Sequence, residues 1–323
     1  MATKHSQSAE ISHGTAVLII AITATIWGGS FPATRIALSG GMSVGVLMAM
    51  RFVVAGGLMA IIVYAKKIPI RRRGVIDGIW LGIVLATLFW LQTDGMRFTT
   101  TAKSGFITGL YVLFTPLIAV AIGQRVKFTS LGGAVIATYG LYLLVQAPGA
   151  AWSGHPLGDV LGKVNRGDLE TLGCALLCGV HIVLMGNFTR KSDAWLLASS
   201  QVITCGVISA GIAFFGRLGA ASGQVAGGLT NWPAVLATLY LAVFSTVFAF
   251  WAQATAQTRL GPTEAAILFS LEPVVAALLS VFWLKEPMTS RQALGGGLIV
   301  LAMVVAEALP HMFRAIVVPD TRP

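Results

Sequence analysis

Polar residues in this chain cluster at intervals, and between them run apolar stretches of about twenty residues with no strand-like alternation. A helix needs about twenty residues to cross a hydrocarbon layer roughly 30 Å thick. In lipid, every backbone polar group must be satisfied within the spanning structure, which leaves helices or a closed barrel. Unalternating runs choose helices. Ten stretches fit: Thr15–Leu38, Val44–Ala65, Val75–Thr93, Ser104–Gly123, Ser130–Gln146, Asp168–Phe188, Ala194–Phe215, Trp232–Thr258, Thr263–Leu284 and Arg291–Leu309. The pattern predicts an all-α integral membrane protein of ten transmembrane helices, with little chain left for a soluble domain. The first stretch is long enough to span and is followed by many others, so it reads as a retained helix and not as a cleaved leader.

Composition agrees: 56% of the 323 residues are hydrophobic and only 11% charged, where a soluble domain carries about 25%. The net charge of +10 would suit a nucleic-acid partner, but the positive residues stand at helix ends, as a membrane topology requires. With the first span running outward, 13 Lys and Arg fall inside, among them Lys66, Lys67 and Arg71–Arg73. Seven fall outside, and Arg35 and Arg51 lie within spans. The excess predicts both termini in the cytoplasm, in a multi-pass protein of a cell membrane, on this reading a bacterial inner membrane. Arg71–Arg73 are placed to meet anionic headgroups. Cys174, Cys178 and Cys205 all lie in apolar helix and read as packing residues, since Cys174 and Cys178 lack further metal ligands nearby.

The chain also repeats itself. Trp90-Leu91-Gln92 is echoed by Trp251-Ala252-Gln253, and Gly132-Gly133 by Gly295-Gly296-Gly297, at nearly equal spacing. Each half has a proline in its fourth span, Pro116 and Pro273, out of register by about one helical turn. The expected organisation is a tail (1–14), a five-helix repeat (15–148), a linker (149–167), a second five-helix repeat (168–309) and a tail (310–323). An odd number of spans per half makes the two halves inverted repeats, an architecture recurrent in secondary transporters, with the substrate near the midplane between the halves.

Trp27-Gly28-Gly29-Ser30-Phe31, Arg51-Phe52, Leu271-Glu272-Pro273, Leu284-Lys285-Glu286 and Gly295-Gly296, in this order along both halves, resemble the EamA family of the drug/metabolite transporter superfamily. The resemblance implies a ten-span transporter of small organic metabolites. It does not specify a substrate, because the superfamily handles amino acids, other metabolites, drugs and nucleotide sugars. Many members carry an acid after the fourth span, where this chain reads Gly123-Gln124-Arg125.

A charge at mid-bilayer costs about 2.5–3.5 kcal/mol on insertion scales and needs a partner or cavity water. Glu272 is the deepest acid, beside Pro273, whose ring frees an upstream carbonyl. It could bind a substrate ammonium, carry a coupling proton, or simply bond to a neighbouring helix. Trp27, Ser30, Phe31, Gln92, Tyr111, Thr115, His181 and Gln253 complete the candidate substrate-binding set. The offset between Trp90 and Trp251 puts Tyr111 opposite Glu272. Asp94 is expected to pair with Arg35 or Arg51 as a gating ion pair, and Pro116 and Pro273 are candidate hinges. Glu264 reads as a helix cap, while Lys285-Glu286 and Glu307 read as interfacial. A cavity is expected between the halves, lined by the first, third, fourth, sixth, eighth and ninth spans.

No metal-binding, phosphate-loop or catalytic-triad pattern emerges, and no cofactor is expected. The favoured reading is an alternating-access secondary transporter that exports amino acids or related compounds. Its rivals are an intramembrane enzyme built on His181 and Glu272 with a lipid or isoprenoid substrate, and a non-transporting membrane chaperone or sensor. The expected partners are a small-molecule substrate and the bilayer, with a monomer sufficient.

Overall fold

The computed structural model describes residues 11–99, 101–124, 126, 128–145, 165–219, 228–283, 289–291 and 293–302. Residues 1–10 of the N-terminal tail, the C-terminal tail, most of the 149–167 linker, Leu284-Lys285-Glu286 and Glu307 lie outside the described residues. Within them the chain is helical and has no strands. The elements are α1 (His13–Ser39), α2 (Val44–Ala65), α3 (Arg72–Gly95), α4 (Thr101–Gly109), α5 (Tyr111–Ala121) and α6 (Phe128–Val145). They continue with α7 (Arg166–Phe188), α8 (Ala194–Gly219), α9 (Trp232–Ala256), α10 (Pro262–Phe269), α11 (Leu271–Trp283) and α12 (Ala293–Ala302).

Seven described helical stretches are long and apolar enough to cross a membrane, and three apolar ones are shorter. One shorter stretch, Ile107–Ala121, belongs to the fourth span, which is broken. Leu110 separates α4 from α5, and its N–H turns back to the Ile107 carbonyl, 3.2 Å away. Ser270 separates α10 from α11 in the same way, with its N–H shared between the Ala266 and Ile267 carbonyls. Both residues have a flattened helical backbone, ψ −11° and −5°, so each break is a tightened turn. Pro273 explains the second, because its ring clashes with the carbonyl four residues back, that of Phe269. Pro116 does not explain the first: it sits inside α5, well past Leu110, so the discontinuity is not where the proline alone would put it.

Local signals start the helices. Ser12 and Ser43 cap α1 and α2 through their hydroxyls, Asn165 and Asp168 form a capping box on α7, and Asn231 caps α9. Glu264 accepts from the Gly261 N–H at 3.1 Å, the cap the sequence suggests.

Glycine then sets the packing. Gly74, Gly78 and Gly82 recur every four residues on one face of α3, against Leu196, Ser200 and Thr204 of α8. A Cβ on Gly82 would sit 2.6 Å from that of Thr204, closer than real side chains come, so the two backbones meet directly. Gly28 does the same for α1, where a Cβ would lie 2.7 Å from the Glu272 carbonyl oxygen. α1 therefore lies against the break between α10 and α11, and α3 against α7 and α8. The space enclosed between them holds the site.

Candidate functional site

The enclosed space is a narrow cavity lined from α1, α3, α4, α5, α7, α9, α10 and α11, which fall in the first, third, fourth, sixth, eighth and ninth of the expected spans. About 50 Å³ is open to the centres of water molecules, room for a few waters. Seven of the nine candidate binding residues line it: Trp27, Ser30, Gln92, Tyr111, His181, Gln253 and Glu272.

Glu272 is buried, and the Tyr111 hydroxyl donates to its Oε2 at 3.3 Å. Each lies just past a helix break, where the tightened turn carries its side chain inward. Trp27 forms an aromatic wall, its ring 4.9 Å from Phe269 and 5.6 Å from Phe250 between centroids. Its indole N–H donates to the Ser245 carbonyl at 3.0 Å. Opposite, Phe89 meets Phe250 edge-on at 6.1 Å, a favoured aromatic geometry. His181 Nε2 is 2.7 Å from Gln201 Oε1. Gln92 donates to Thr108 at 3.3 Å, and Gln253 donates to Gln257 at 3.0 Å. Gln253 Oε1 is buried with no hydrogen-bond partner among the described residues.

Phe31 and Thr115 do not join the cavity. Phe31 packs with Met96 and Ala276 and lies over Gly105, one turn further along α1 than Trp27. Thr115 turns its hydroxyl to the Tyr111 carbonyl at 2.7 Å.

The expected pairing of Asp94 with Arg35 or Arg51 does not form. Asp94 binds Arg97 Nη1 and Arg166 Nη2, both at 2.8 Å, and so joins the end of α3 to the start of α7. Arg166 also holds Glu170 at 2.7 Å, and Thr99 donates to Asp168 at 2.9 Å. Arg35 is spent nearby, on the Thr99 carbonyl at 2.7 Å and the Thr101 hydroxyl at 3.0 Å. Arg51 points the other way, into α9. There Val243–Phe248 winds as a π-helix, which presents the Thr246 and Ser245 hydroxyls to the guanidinium at 2.9 and 3.1 Å. The Phe89 ring lies 4.2 Å from the guanidinium carbon, so a neutral polar and aromatic cage holds the cation. No carboxylate comes within 4.0 Å of Arg51 among the described residues. The cysteines are free, with Cys174 and Cys178 3.8 Å apart between sulfurs.

The EamA-like transporter family matches the chain twice, at residues 14–146 and 165–307. The matches start with a shift of 151 and end with one of 161. The cavity follows these shifts. At 161 the lining residues pair as Phe89 with Phe250, Gln92 with Gln253, Thr108 with Phe269, and Tyr111 with Glu272; at 151 they pair as Trp27 with Cys178 and Ser30 with His181. Phe89 and Phe250 were absent from the candidate set, although each directly precedes the repeated tryptophan that marks the duplication.

An uncharacterized transporter of Archaeoglobus fulgidus is 31% identical over 289 residues, covering 89% of this chain and 84% of that one. A second uncharacterized transporter of the same organism is 25% identical over 300 residues, covering 91% and 98%. A solved crystal structure, 20% identical, superposes with a TM-score of 0.71 over 94% of this chain and 99% of its own, which establishes likeness of fold. With both halves matched to the family model and this relative at 31%, the chain belongs to the EamA-like transporter family, as a multi-pass membrane protein of the transporter class.

Proposed function

We propose that this protein is a secondary transporter that exports amino acids or related small organic metabolites by alternating access. In this reading ten spans form two inverted five-helix halves in a cell membrane, with both termini cytoplasmic. The observation that carries it is the cavity, built from residues at matching positions of the two repeats with one buried carboxylate among them. The interhelical contacts support the inverted arrangement. α3 packs on α8 as α2 packs on α9, and α5 packs on α7 as α1 packs on α11, so the two halves exchange roles across a common axis.

Glu272 then serves as the ammonium site, the proton carrier, or both in turn. Trp27, Phe89 and Phe250 supply an apolar wall, and Gln92, Gln253 and His181 the polar contacts that orient a small solute. A proton moving down the membrane potential releases about 2.3 kcal/mol per 100 mV, and a tenfold uphill gradient costs about 1.4 kcal/mol. One proton per substrate is therefore sufficient. The enzyme reading gains no comparable support, since His181 bonds to Gln201 and Glu272 to Tyr111 and no contact joins the two.

The test is flux in proteoliposomes over a panel of amino acids and other small metabolites, with and without a pH gradient. Counterflow of at least one amino acid, accelerated by the gradient, is the expected result. Flux indistinguishable from protein-free liposomes across the panel would overturn the reading.

A further inference from the structure

A second and larger hollow, about 690 Å³, lies away from the central cavity on the flank formed by α2, α3 and α8. Its origin is in the glycine packing. Gly56 seats α2 on Ile203, and Gly74 and Gly78 seat α3 on Leu196 and Ser200. α8 thus becomes the floor of a trough whose walls are the facing sides of α2 and α3, at Val63 and at Val75 and Ile79. The floor is largely apolar, because two of its three hydroxyls are used internally: Ser199 donates to Met59 Sδ, and Thr204 to the Ser200 carbonyl.

The closed end of the trough is the turn between α2 and α3, which brings Lys67, Ile68 and Ile70 to the rim. Lys67 has φ 50°, the only positive φ outside glycine among the described residues. It ends α2 with its N–H on the Tyr64 carbonyl, while the Ile68 N–H reaches the Val63 carbonyl. This closing turn ordinarily takes glycine at its left-handed position. A lysine there sits in a backbone conformation that costs free energy, and such outliers point to function. Lys66 lies beside it, 5.3 Å over the Trp195 ring, and exposed Arg71, Arg72 and Arg73 follow. An apolar trough that opens to lipid thus ends at five cations where two spans leave the membrane.

We propose that the trough is a binding site for one anionic phospholipid. An acyl chain fills the space between α2, α3 and α8, and the phosphodiester is held by Lys67 and Arg71. Charge complementarity at the rim selects the headgroup, and the apolar floor selects a lipid over a soluble anion. The proposal is independent of which solute the central cavity carries.

Native mass spectrometry of the purified full chain, titrated with phosphatidylglycerol and with phosphatidylcholine of the same acyl chains, tests it. One tightly retained phosphatidylglycerol is expected, with phosphatidylcholine bound at least about tenfold more weakly. Lys67→Gly removes the charge while relaxing the backbone, so the variant should unfold at an equal or higher temperature and yet lose most of the preference. Ala60→Phe, which fills the wall without touching a charge, should weaken both lipids, with a thermal melt confirming the fold. Equal retention of the two lipids overturns the proposal. So does a preference that survives Lys67→Gly and disappears only when Arg72 and Arg73 are neutralised, since that marks general attraction to a basic surface.

Discussion

Tyr111 and Glu272 occupy the same position in the two sequence repeats, 161 residues apart, and are hydrogen-bonded to each other. In the inverted arrangement proposed above, equivalent residues of the two halves touch only near the axis that relates them, so this bond would mark its position. It lies just past the breaks at Leu110 and Ser270. One repeat supplies a proton donor and the other a carboxylate, so similar backbones carry unlike chemistry.

Glu272→Gln keeps the size and hydrogen-bonding capacity of the side chain and removes its ability to ionise. It is expected to abolish flux driven by a pH gradient while the protein elutes and melts like the parent. Tyr111→Phe leaves the carboxylate and removes its donor, so gradient-driven flux should fall without vanishing. Full proton-coupled transport by Glu272→Gln would leave this residue a structural role alone.

Asp94 is coupled to Arg166, not to Arg35 or Arg51. Both arginines bound to Asp94 are more than half exposed while the aspartate is largely covered, so each bond is worth little to stability, about 0.2–1 kcal/mol. A double-mutant cycle on unfolding with Asp94→Asn and Arg166→Gln should give a coupling in that range. Cycles with Arg35→Gln or Arg51→Gln should give none. Because the pair joins α3 to α7, Asp94→Asn should also raise labelling of cysteines introduced into the cavity from that side.

Gly28→Val places a branched side chain against the Glu272 carbonyl and Val275. Overpacking of this kind costs about 1–3 kcal/mol. A lower melting temperature and loss of transport are expected together, since α1 must shift away from the break that positions Glu272. Gly57→Ala, with open space around it, is the control and should melt like the parent.

Gln253→Leu removes an unpartnered buried acceptor but also takes the donor from buried Gln257 Oε1. An unsatisfied buried polar group costs about 1–3 kcal/mol, so the two effects offset and the melting temperature should change little. Transport should weaken, because Gln253 lines the cavity. A variant that melts much lower and transports fully would show that Gln253 has an internal role instead.

Much of this was legible in the chain. Seven of the ten expected spans appear among the described residues as helices long and apolar enough to cross a membrane, because a hydrocarbon layer sets a minimum length for a crossing. The repeated tryptophan and glutamine gave the register, and the register placed Tyr111 across from Glu272. Pairings of charged residues were not legible, because they depend on how helices cross. Arg51 was a sound partner for Asp94 by depth, yet α2 turns it toward α9. Phe31 belongs to the same motif as Trp27 and shares its face of α1, but it lies one turn, about 6 Å, further along the helix and packs on Met96 and Ala276 beyond the cavity. The break at Leu110 has no proline at the position that would announce it.

The π-wound segment Val243–Phe248 takes up one residue more than an α-turn does. Phe250 and Gln253 therefore keep, relative to the residues before the segment, the phase that an α-helix one residue shorter would give them. Removing one residue here would let the segment close as ordinary α-helix, leaving hydropathy, the ability to span and the cavity wall from α9 in place. It would nonetheless disturb the Ser245 and Thr246 hydroxyls that hold Arg51. A one-residue deletion in this segment should therefore insert into membranes like the parent and keep its cavity, yet melt lower, because a buried cation loses its partners.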